Sequence, residues 1–401
     1  MFFGGKFLNG FAIGTLKACA ATYIGEVTPL PLRGLMTVTI SMGYSLGGFI
    51  VSLVLNSTGT FESRWAYRAV FVSQYGVAGI SMILLFFAPE YVQPRSSCEL
   101  SNMSRRSPWW LVSKGRDQDA IKALRRLGHT GGREDRRLAD IQRTLETVSK
   151  ETVTVSYLEC FRKSNLRRTM ISVMPMISQS ASGVVFMVSY TLYYAQLAGL
   201  GDQMSFKIQV TKEVLAIAGN IVSWFLIDKM GRRAVMIWGL FSLIVVLMIM
   251  GGLAVVNSQQ ALVGAVTMCL LYTFFYNVGV GAAAFTIATE TATARLRVKT
   301  IAVGLSLQAS LNTAWSFSIP YFLNPDQLNI GGKIGFMFGG ASILVLLYLF
   351  FCQPETRNRS YAELDEMFMN HVPARKFKKY ETDIQREAAR STGVELENST
   401  R

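Results

Sequence analysis

Long apolar stretches with almost no charge recur throughout this sequence of 401 residues. A helix needs about 20 apolar residues to cross the hydrocarbon core of a bilayer, whereas runs of about 10–14 are more typical of buried helices in soluble proteins. Stretches of membrane-spanning length lie at 7–28, 35–56, 67–88, 168–198, 207–228, 234–256, 262–289, 300–322 and 334–352. The sequence therefore predicts an all-α integral membrane protein, a helical bundle with about nine transmembrane helices.

The charge of the chain favours a membrane protein over a nucleic-acid-binding protein. Half of the residues are apolar and only 16% are charged, against about 25% in a typical soluble domain. The formal net charge of +14 comes from Lys and Arg residues that collect in the connections between apolar runs and in the tail. Basic connections are typical of the cytoplasmic side of membrane proteins, so nucleic acid is not an expected partner.

Basic and non-basic connections alternate along the chain and predict its topology. The connections at 228–233 and 295–299 are basic, whereas those at 199–206 and 257–261 contain no Lys or Arg. The long polar connection and the C-terminus are therefore expected inside the cell. The predicted domains are N-terminal helices at 1–88, a cytoplasmic linker with short helices at 89–167, a C-terminal six-helix bundle at 168–352 and a cytoplasmic tail at 353–401.

Two similar charged segments follow two of the apolar runs. The segment YIGEVTPLPLRG places Glu26 seven residues before Arg33. The segment ETATARLRVK places Glu290 seven residues before Arg297. Equivalent charged segments at the ends of two apolar helices predict that the protein has two equivalent halves.

Several charged motifs occur in the order that is typical of one transporter family. They are Tyr23, Glu26, Pro29, Arg33 and Gly34; Asp228, Gly231, Arg232 and Arg233; Glu290, Arg295, Arg297 and Lys299; and Pro354, Glu355, Thr356 and Arg357, followed by Glu363, Leu364 and Asp365. With these motifs the chain resembles a sugar porter of the major facilitator superfamily, closest to the fungal α-glucoside or maltose permease branch. The resemblance implies that the sequence corresponds to helices four to twelve of that family, without helices one to three.

One part of the linker fits neither the family nor its fold. The family phrase PESPWWL occurs here in two pieces, at 89–90 and at 107–111. We interpret the residues between them, 91–106, as an aberrant insert such as a translated short intron. Elsewhere in the linker, helical periodicity predicts short surface helices at 117–127 and 138–148.

The resemblance implies a gate at the cytoplasmic edge of the membrane. Carboxylate and guanidinium groups at helix ends form charge-assisted hydrogen bonds in one conformation and release them in another. The alternative is that these charges only orient the chain, although the positive-inside bias explains the arginines and not the acids. The predicted gate residues are Glu26, Arg33, Asp228, Arg232, Arg233, Glu290, Arg297 and Glu355.

The resemblance also implies a sugar site within the membrane, where hydroxyl groups need polar partners and aromatic rings cover the C–H faces. Gln179 and Asn312 match polar residues of the family's site, and Phe285 matches an aromatic one. The alternatives are hydrogen bonding between helices for the first two and ordinary packing for Phe285. Tyr193 is expected at an extracellular gate or simply at the membrane interface. Ser41 stands where the family has an amide, which fits a disaccharide or another divergent substrate better than a hexose.

Lys17 lies in the middle of a predicted membrane helix, where the family has an uncharged amide. A lysine in hydrocarbon costs at least about 2.5 kcal/mol, so its side chain is expected to face the substrate cavity or to pair with an acid. It would then contact an acidic substrate or take part in coupling. The alternatives are a side chain that reaches the interface and a degenerate change. Glu213 is a weaker candidate for proton exchange, because an exposed interfacial pair with Lys212 is the expected arrangement.

The resemblance implies a transporter that takes up α-glucosides such as maltose together with protons, across the plasma membrane, by alternating access. The lack of helices one to three is expected to impair transport. The expected partners are a sugar, protons and the lipid bilayer, without a cofactor or a metal. The alternatives are a facilitative hexose or polyol carrier and a transport-inactive sugar sensor or fragment. An enzyme is not expected, because no nucleophile–base pair, phosphate loop or metal cluster can be recognised.

Overall fold

A computed structural model describes residues 2–28, 33–59, 61, 63–87, 111–112, 115–126, 135, 138–139, 141–142, 156–197, 199–256, 258–293, 296–324, 326–357, 359, 361–383 and 386. The α-helices in these ranges are α1 Phe2–Val27, α2 Arg33–Thr58, α3 Trp65–Phe87, α4 Asp117–Arg126, α5 Lys163–Ala181, α6 Thr191–Leu197, α7 Asp202–Met230, α8 Arg232–Val256, α9 Gln259–Val278, α10 Val280–Thr291, α11 Arg297–Leu323, α12 Ile334–Cys352 and α13 Tyr361–Met369. A π-helical turn at Phe186–Tyr190 lies between α5 and α6. The predicted all-α class is confirmed.

Six segments in the described part of the chain are helical, long enough and apolar enough to cross a membrane. They are Gly34–Thr58, Asn165–Leu197, Asp202–Met230, Arg232–Val256, Gln259–Thr291 and Gly331–Cys352. Three further helices, α1, α3 and α11, contain 26, 23 and 27 residues and coincide with the remaining apolar runs of the sequence. The chain is therefore a multi-pass membrane protein.

By its contacts the chain divides into two compact units. One comprises Met1–Val70 with Cys160–Arg401, and the other comprises Phe71–Glu159. The boundaries that the sequence places at 88, 167 and 352 stay predictions. The predicted helix at 117–127 is present as α4. The predicted insert 91–106 lies outside the described residues, as does most of the predicted helix at 138–148.

The first unit contains the helices that form the candidate site. Within it, α2 packs along α7, α5 lies against α10 and α11, and α8 lies between α9 and α12. The core of this unit consists of fully buried side chains such as Leu240, Leu247 and Phe338. Apolar side chains such as Trp238 and Leu344 are exposed, as expected for surfaces that face lipid.

Two predicted apolar runs are interrupted rather than continuous helices. The run at 262–289 breaks at Gly279, which has φ −109° and ψ −90° and separates α9 from α10. The run at 168–198 breaks near Gly183, where φ is +85° and a Cβ would lie 2.7 Å from the ring of Phe338. Glycine is required there, because a side chain would meet both the left-handed backbone and the packed ring.

The break at Gly279 lies directly against α8. A Cβ on Gly239 would come within 2.6 Å of the Cα of Gly279. Lipid provides little hydrophobic force between membrane helices, so small residues at such crossings allow the backbones to pack closely. The pair Gly239 and Gly279 therefore fixes α8 against the interrupted helix.

Gly239→Ala is expected to destabilise the protein by about 1–3 kcal/mol, because the added methyl group forces two packed backbones apart. Gly252→Ala is a matched control on the same helix, since a Cβ there has nothing within 4 Å. We expect the control to melt at or above the wild-type temperature, because alanine favours helix over glycine by about 1 kcal/mol. Thermal unfolding of the purified proteins in detergent measures both, and equal melting temperatures for the two variants would contradict the proposed close contact.

Candidate functional site

Two helices bring polar side chains to the start of α10. Ser41 on α2 donates a hydrogen bond to the carbonyl oxygen of Gly281 at 3.0 Å. Gln179 on α5 donates from Nε2 to the carbonyl oxygens of Val280 at 3.2 Å and Gly281 at 3.3 Å. A carbonyl oxygen has two lone pairs and can accept both side chains. Two predicted site residues therefore meet at the first turn of α10, just after the break at Gly279.

A second set of polar contacts joins α5 to α11. The Nε2 of Gln308 donates to Oε1 of Gln179 at 2.5 Å, and Ser180 donates to Oδ1 of Asn312 at 2.6 Å. Gln308 and Asn312 are four residues apart and therefore lie on one face of α11. The sequence prediction included Asn312 and missed Gln308, although the four-residue spacing of two amides in an apolar helix was a usable signal.

A further polar group that the sequence prediction missed lies between α2, α7 and α9. The Nδ2 of Asn220, on α7, donates to Oγ of Ser45 at 2.9 Å and to Oδ1 of Asn277 at 3.3 Å. Asn220 is fully buried, and its Oδ1 accepts no hydrogen bond from the described residues. The signal for this residue was an asparagine within an apolar run, since uncompensated polar groups are costly in a membrane.

Lys17 is held by aromatic rings. Its Nζ lies 5.4 Å from the ring centroid of Tyr44 on α2 and 5.2 Å from that of Phe285 on α10. At these distances the ammonium group is attracted to the negative faces of both rings. Phe285 follows Gly281 by one helical turn and belongs to a buried apolar cluster that includes Met176. Lys17 and Phe285 therefore lie close to the start of α10, and among the described residues no carboxylate forms an ion pair with Lys17.

Tyr193 lies apart from the other predicted substrate residues. Its hydroxyl group donates to Oδ1 of Asn324, just beyond the end of α11, at 2.9 Å. Tyr190, in the π-helical turn, similarly donates to the carbonyl oxygen of Ser316 at 2.8 Å. Both tyrosines join the segment after Gly183 to the far end of α11, opposite to the end where Arg297 begins that helix.

A buried arginine organises the predicted gate. Arg232 is 4% exposed, and its guanidinium group lies 3.1 Å from Oδ1 of Asp228 and 3.3 Å from Oε1 of Glu290. The other carboxylate oxygen of Glu290 accepts a hydrogen bond from the hydroxyl group of Thr356 at 2.5 Å. The cluster thereby links α7, α8, α10 and the segment that follows α12.

Glu355 holds this cluster to the start of α8. Its carboxylate accepts hydrogen bonds from the backbone N–H groups of Arg232 at 3.0 Å and Arg233 at 3.3 Å. A negative charge at this position also interacts favourably with the positive end of the helix dipole. A Cβ on Gly231, where φ is +94°, would lie 2.5 Å from the same carboxylate. The guanidinium group of Arg233 is directed elsewhere and donates to the carbonyl oxygen of Phe350 at 2.7 Å.

The start of α2 lies on the same cluster. A Cβ on Gly34 would come within 2.6 Å of Arg232 and 2.8 Å of Asp228. Arg33 is the first residue of α2 and Glu26 lies in the last turn of α1, but their side chains are outside the described part of the structure. Arg297 is buried at the start of α11. The contact through Gly34 shows that the start of α2 lies against Asp228 at the end of α7 and Arg232 at the start of α8.

Arg168, which the sequence prediction missed, attaches the tail helix to this face. It forms an ion pair with Asp365 on α13, and its Nε donates to the carbonyl oxygen of Thr291 at 2.5 Å. The guanidinium carbon also lies 4.7 Å from the ring centroid of Phe368. The tail therefore begins with a helix that is packed on the bundle.

The expectation of an exposed interfacial pair at Lys212 and Glu213 is wrong. The two side chains are 2% and 13% exposed, and Nζ lies 3.5 Å from Oε1 of Glu213. The pair is buried because α2 covers this part of α7, where a Cβ on Gly48 would lie 2.7 Å from the Glu213 carboxylate.

The sequence of this chain is similar to those of known transporters. A family model described as "Sugar (and other) transporter" matches residues 1–368. The general α-glucoside permease of Saccharomyces cerevisiae is 32% identical over 384 residues, which are 93% of this chain and 59% of the permease. Maltose permease MAL31 of the same yeast is 29% identical over 94% of this chain and 60% of the permease. The chain thus spans about 60% of the length of these relatives.

Solved structures share the fold of this chain. The proton:xylose symporter XylE bound to 6-bromo-6-deoxy-D-glucose superposes with a TM-score of 0.71 at 19% identity, covering 87% of this chain and 70% of that protein. The inward-open conformation of XylE from E. coli gives a lower TM-score of 0.57 at 19% identity, covering 86% and 68%.

Glu290→Gln is expected to lower stability by about 3 kcal/mol, because it leaves the buried guanidinium group of Arg232 without its buried carboxylate. Asp228→Asn is the matched control, since Asp228 is 41% exposed and exposed ion pairs contribute only about 0–1 kcal/mol. Thermal unfolding of both variants in detergent measures the difference. The proposed role of the buried pair would be refuted if the two variants melted at the same temperature.

Proposed function

The chain belongs to the sugar transporter family of the major facilitator superfamily, as its motifs predicted, and we propose that it carries an α-glucoside such as maltose across the plasma membrane together with a proton. The transport mechanism is alternating access, in which two groups of helices move around a site near the middle of the membrane. No covalent step is involved.

The observation that carries this proposal is the polar centre at the start of α10. Ser41, Gln179, Gln308 and Asn312 come from three helices and provide hydroxyl and amide groups inside an apolar bundle. A sugar needs many hydrogen-bond donors and acceptors, and an aromatic ring such as that of Phe285 suits its C–H faces. The hydrogen bonds that these side chains form with one another, with Ser180 and with the backbone would be exchanged for hydrogen bonds to sugar hydroxyl groups.

The charged cluster around Arg232 supports the alternating-access mechanism. Its ion pairs join elements of the C-terminal helices, and Gly34 brings α2 onto them. Such a cluster stabilises a closed cytoplasmic side, because its charge-assisted bonds exist only while the helix ends are together. Opening toward the cytoplasm would release these contacts and the contact with α2. On this view Glu26, Arg33 and Arg297 act in the same gate.

The choice of substrate class follows the relatives. The similar yeast proteins are named an α-glucoside permease and a maltose permease, and the xylose transporter with the same fold is a proton symporter. An α-glucoside and a proton are accordingly the cargo that we propose here. The interrupted helices at Gly183 and Gly279 provide the segments that would move during transport.

Uptake of labelled maltose tests the proposal directly. Yeast cells that lack their own maltose transport and produce the full chain are expected to accumulate maltose, and a protonophore is expected to abolish the accumulation. Uptake that equilibrates without accumulation and ignores the protonophore would instead identify a facilitative carrier. Cells that take up no more maltose than those with an empty vector would contradict the proposed function.

Gln179→Leu is expected to raise the KM for maltose about tenfold, since a hydrogen bond to a buried partner contributes about 1.5 kcal/mol. Gln196→Leu is a matched control, because Gln196 is exposed and its side chain bonds only with Asp202 among the described residues. Initial rates of uptake at varied maltose concentration give both KM values. An unchanged KM in Gln179→Leu would show that Gln179 serves only to join helices.

A further inference from the structure

An ion pair lies in the membrane interior, away from the charged cluster and the polar centre. Lys212 and Glu213 are the eleventh and twelfth residues of α7, which has 29 residues. At 1.5 Å per residue, Glu213 lies roughly 17 Å along the helix from its outer end, near the middle of a hydrocarbon core of about 30 Å. Ionisable groups at this depth are costly and usually serve a function.

The surroundings of the pair connect α7 to the π-helical turn and to α2. Lys212 donates from Nζ to the carbonyl oxygens of Met187 and Val188, both at 3.3 Å. These carbonyl groups belong to the π-helical turn that follows Gly183. On the other side, Gln209 donates to Oε1 of Glu213 at 3.3 Å, and Gly48 of α2 lies against Oε2 of Glu213.

Few other titratable groups face this pair. On α7 itself, Lys212 is the charged neighbour of Glu213. From α9, the thiol group of Cys269 is the neighbour of Lys212. In the described residues, α2 contributes Gly48 and the π-helical turn contributes backbone carbonyl groups, and neither contributes a charge to the pair. The charge of the pair therefore depends mainly on one carboxyl group.

We propose that Glu213 binds and releases the transported proton. Lys212 responds to the change in the charge of Glu213 by changing its contacts with the carbonyl groups of the π-helical turn. This inference rests on the proton-coupled sugar transport proposed above. The side chain of Glu213 is 13% exposed whereas that of Lys212 is 2% exposed, so the carboxylate is the more accessible member of the pair. A proton from outside adds to one carboxylate oxygen, and the net charge of the pair changes from zero to +1.

Proton binding alters the contacts of Lys212. While Glu213 is charged, the ammonium group is shared between the carboxylate and the two carbonyl groups. Once Glu213 is neutral, the ammonium group is attracted mainly to the carbonyl groups of Met187 and Val188, because the surrounding medium offers little water to solvate it. The π-helical turn continues into Tyr190 and Tyr193, which hold the far end of α11. In the inward-facing conformation the carboxyl group loses its proton to cytoplasmic water, and the pair forms again.

Glu213→Gln tests the proposal with the full chain in proteoliposomes. The amide keeps the size of the side chain but cannot take up a proton. We expect maltose accumulation and maltose-driven proton entry to be lost, while counterflow of maltose between two equal pools is retained. Glu213→Asp keeps a carboxyl group and is expected to keep proton entry. Asp202→Asn, at the exposed outer end of α7, is the matched control and is expected to behave as wild type.

Two results in Glu213→Gln would overturn the proposal. One is accumulation of maltose with proton entry, because another group would then carry the proton. The other is loss of counterflow together with accumulation, because a residue that acts only through its proton leaves exchange intact. A wild-type protein that exchanges maltose without proton entry would overturn both this inference and the coupling proposed above.

A second measurement does not depend on transport and so separates failure of this inference from failure of the proposed function. An infrared difference spectrum of the purified protein between alkaline and acidic buffer should contain the C=O band of a protonated carboxyl group in the membrane interior. We expect Glu213→Gln to remove this band and Asp202→Asn to retain it. An identical spectrum in wild type and Glu213→Gln would overturn the assignment of Glu213, whether or not the wild type carries maltose.

Discussion

Hydrocarbon offers no hydrogen-bond partner, so the polar groups of this chain within the membrane must find partners inside the bundle. This constraint accounts for the long helices, whose backbone groups bond within each helix. It also accounts for the positions at which the helices are not continuous. At Gly279 the break is packed against Gly239, and the carbonyl oxygens just beyond it accept hydrogen bonds from Ser41 and Gln179. The candidate sugar site is thus the place where the backbone is interrupted.

Charged side chains that satisfy this constraint lie at two depths, one at an end of the bundle and one in the membrane interior. At the end that we propose to be cytoplasmic, Arg232 lies between Asp228 and Glu290, and Glu355 holds the start of α8. These charges are near water and can separate when the end opens. Lys212 and Glu213 lie deeper, where separation into water is not available, and their partners are the carbonyl groups of an interrupted helix. The first cluster suits a gate and the second suits a proton site.

Much of the candidate site was visible in the sequence, but its arrangement was not. Two pairs of gate residues, Glu26 with Arg33 and Glu290 with Arg297, were predicted from a spacing that recurs at helix ends, and the other gate residues from the family resemblance. Gln179 and Asn312 were found through the family resemblance. Gln308, Asn220 and Arg168 were missed, since each bonds to a residue more than 50 positions away. Lys212 was expected at an exposed interface, because the sequence does not show which helix covers that part of α7.

The sequence by itself determined the class of the protein, the positions of the apolar spans and the charged segments at their ends. These features depend on local composition, because the bilayer core requires long apolar segments and the charged residues lie at their ends. Only the tertiary structure decided where two spans break, which polar side chains meet at the start of α10, and that Lys212 and Glu213 are buried. Those outcomes depend on which helices approach one another and how closely. Small residues such as Gly48 and Gly239 permit a close approach, but the sequence does not show which helix packs against them.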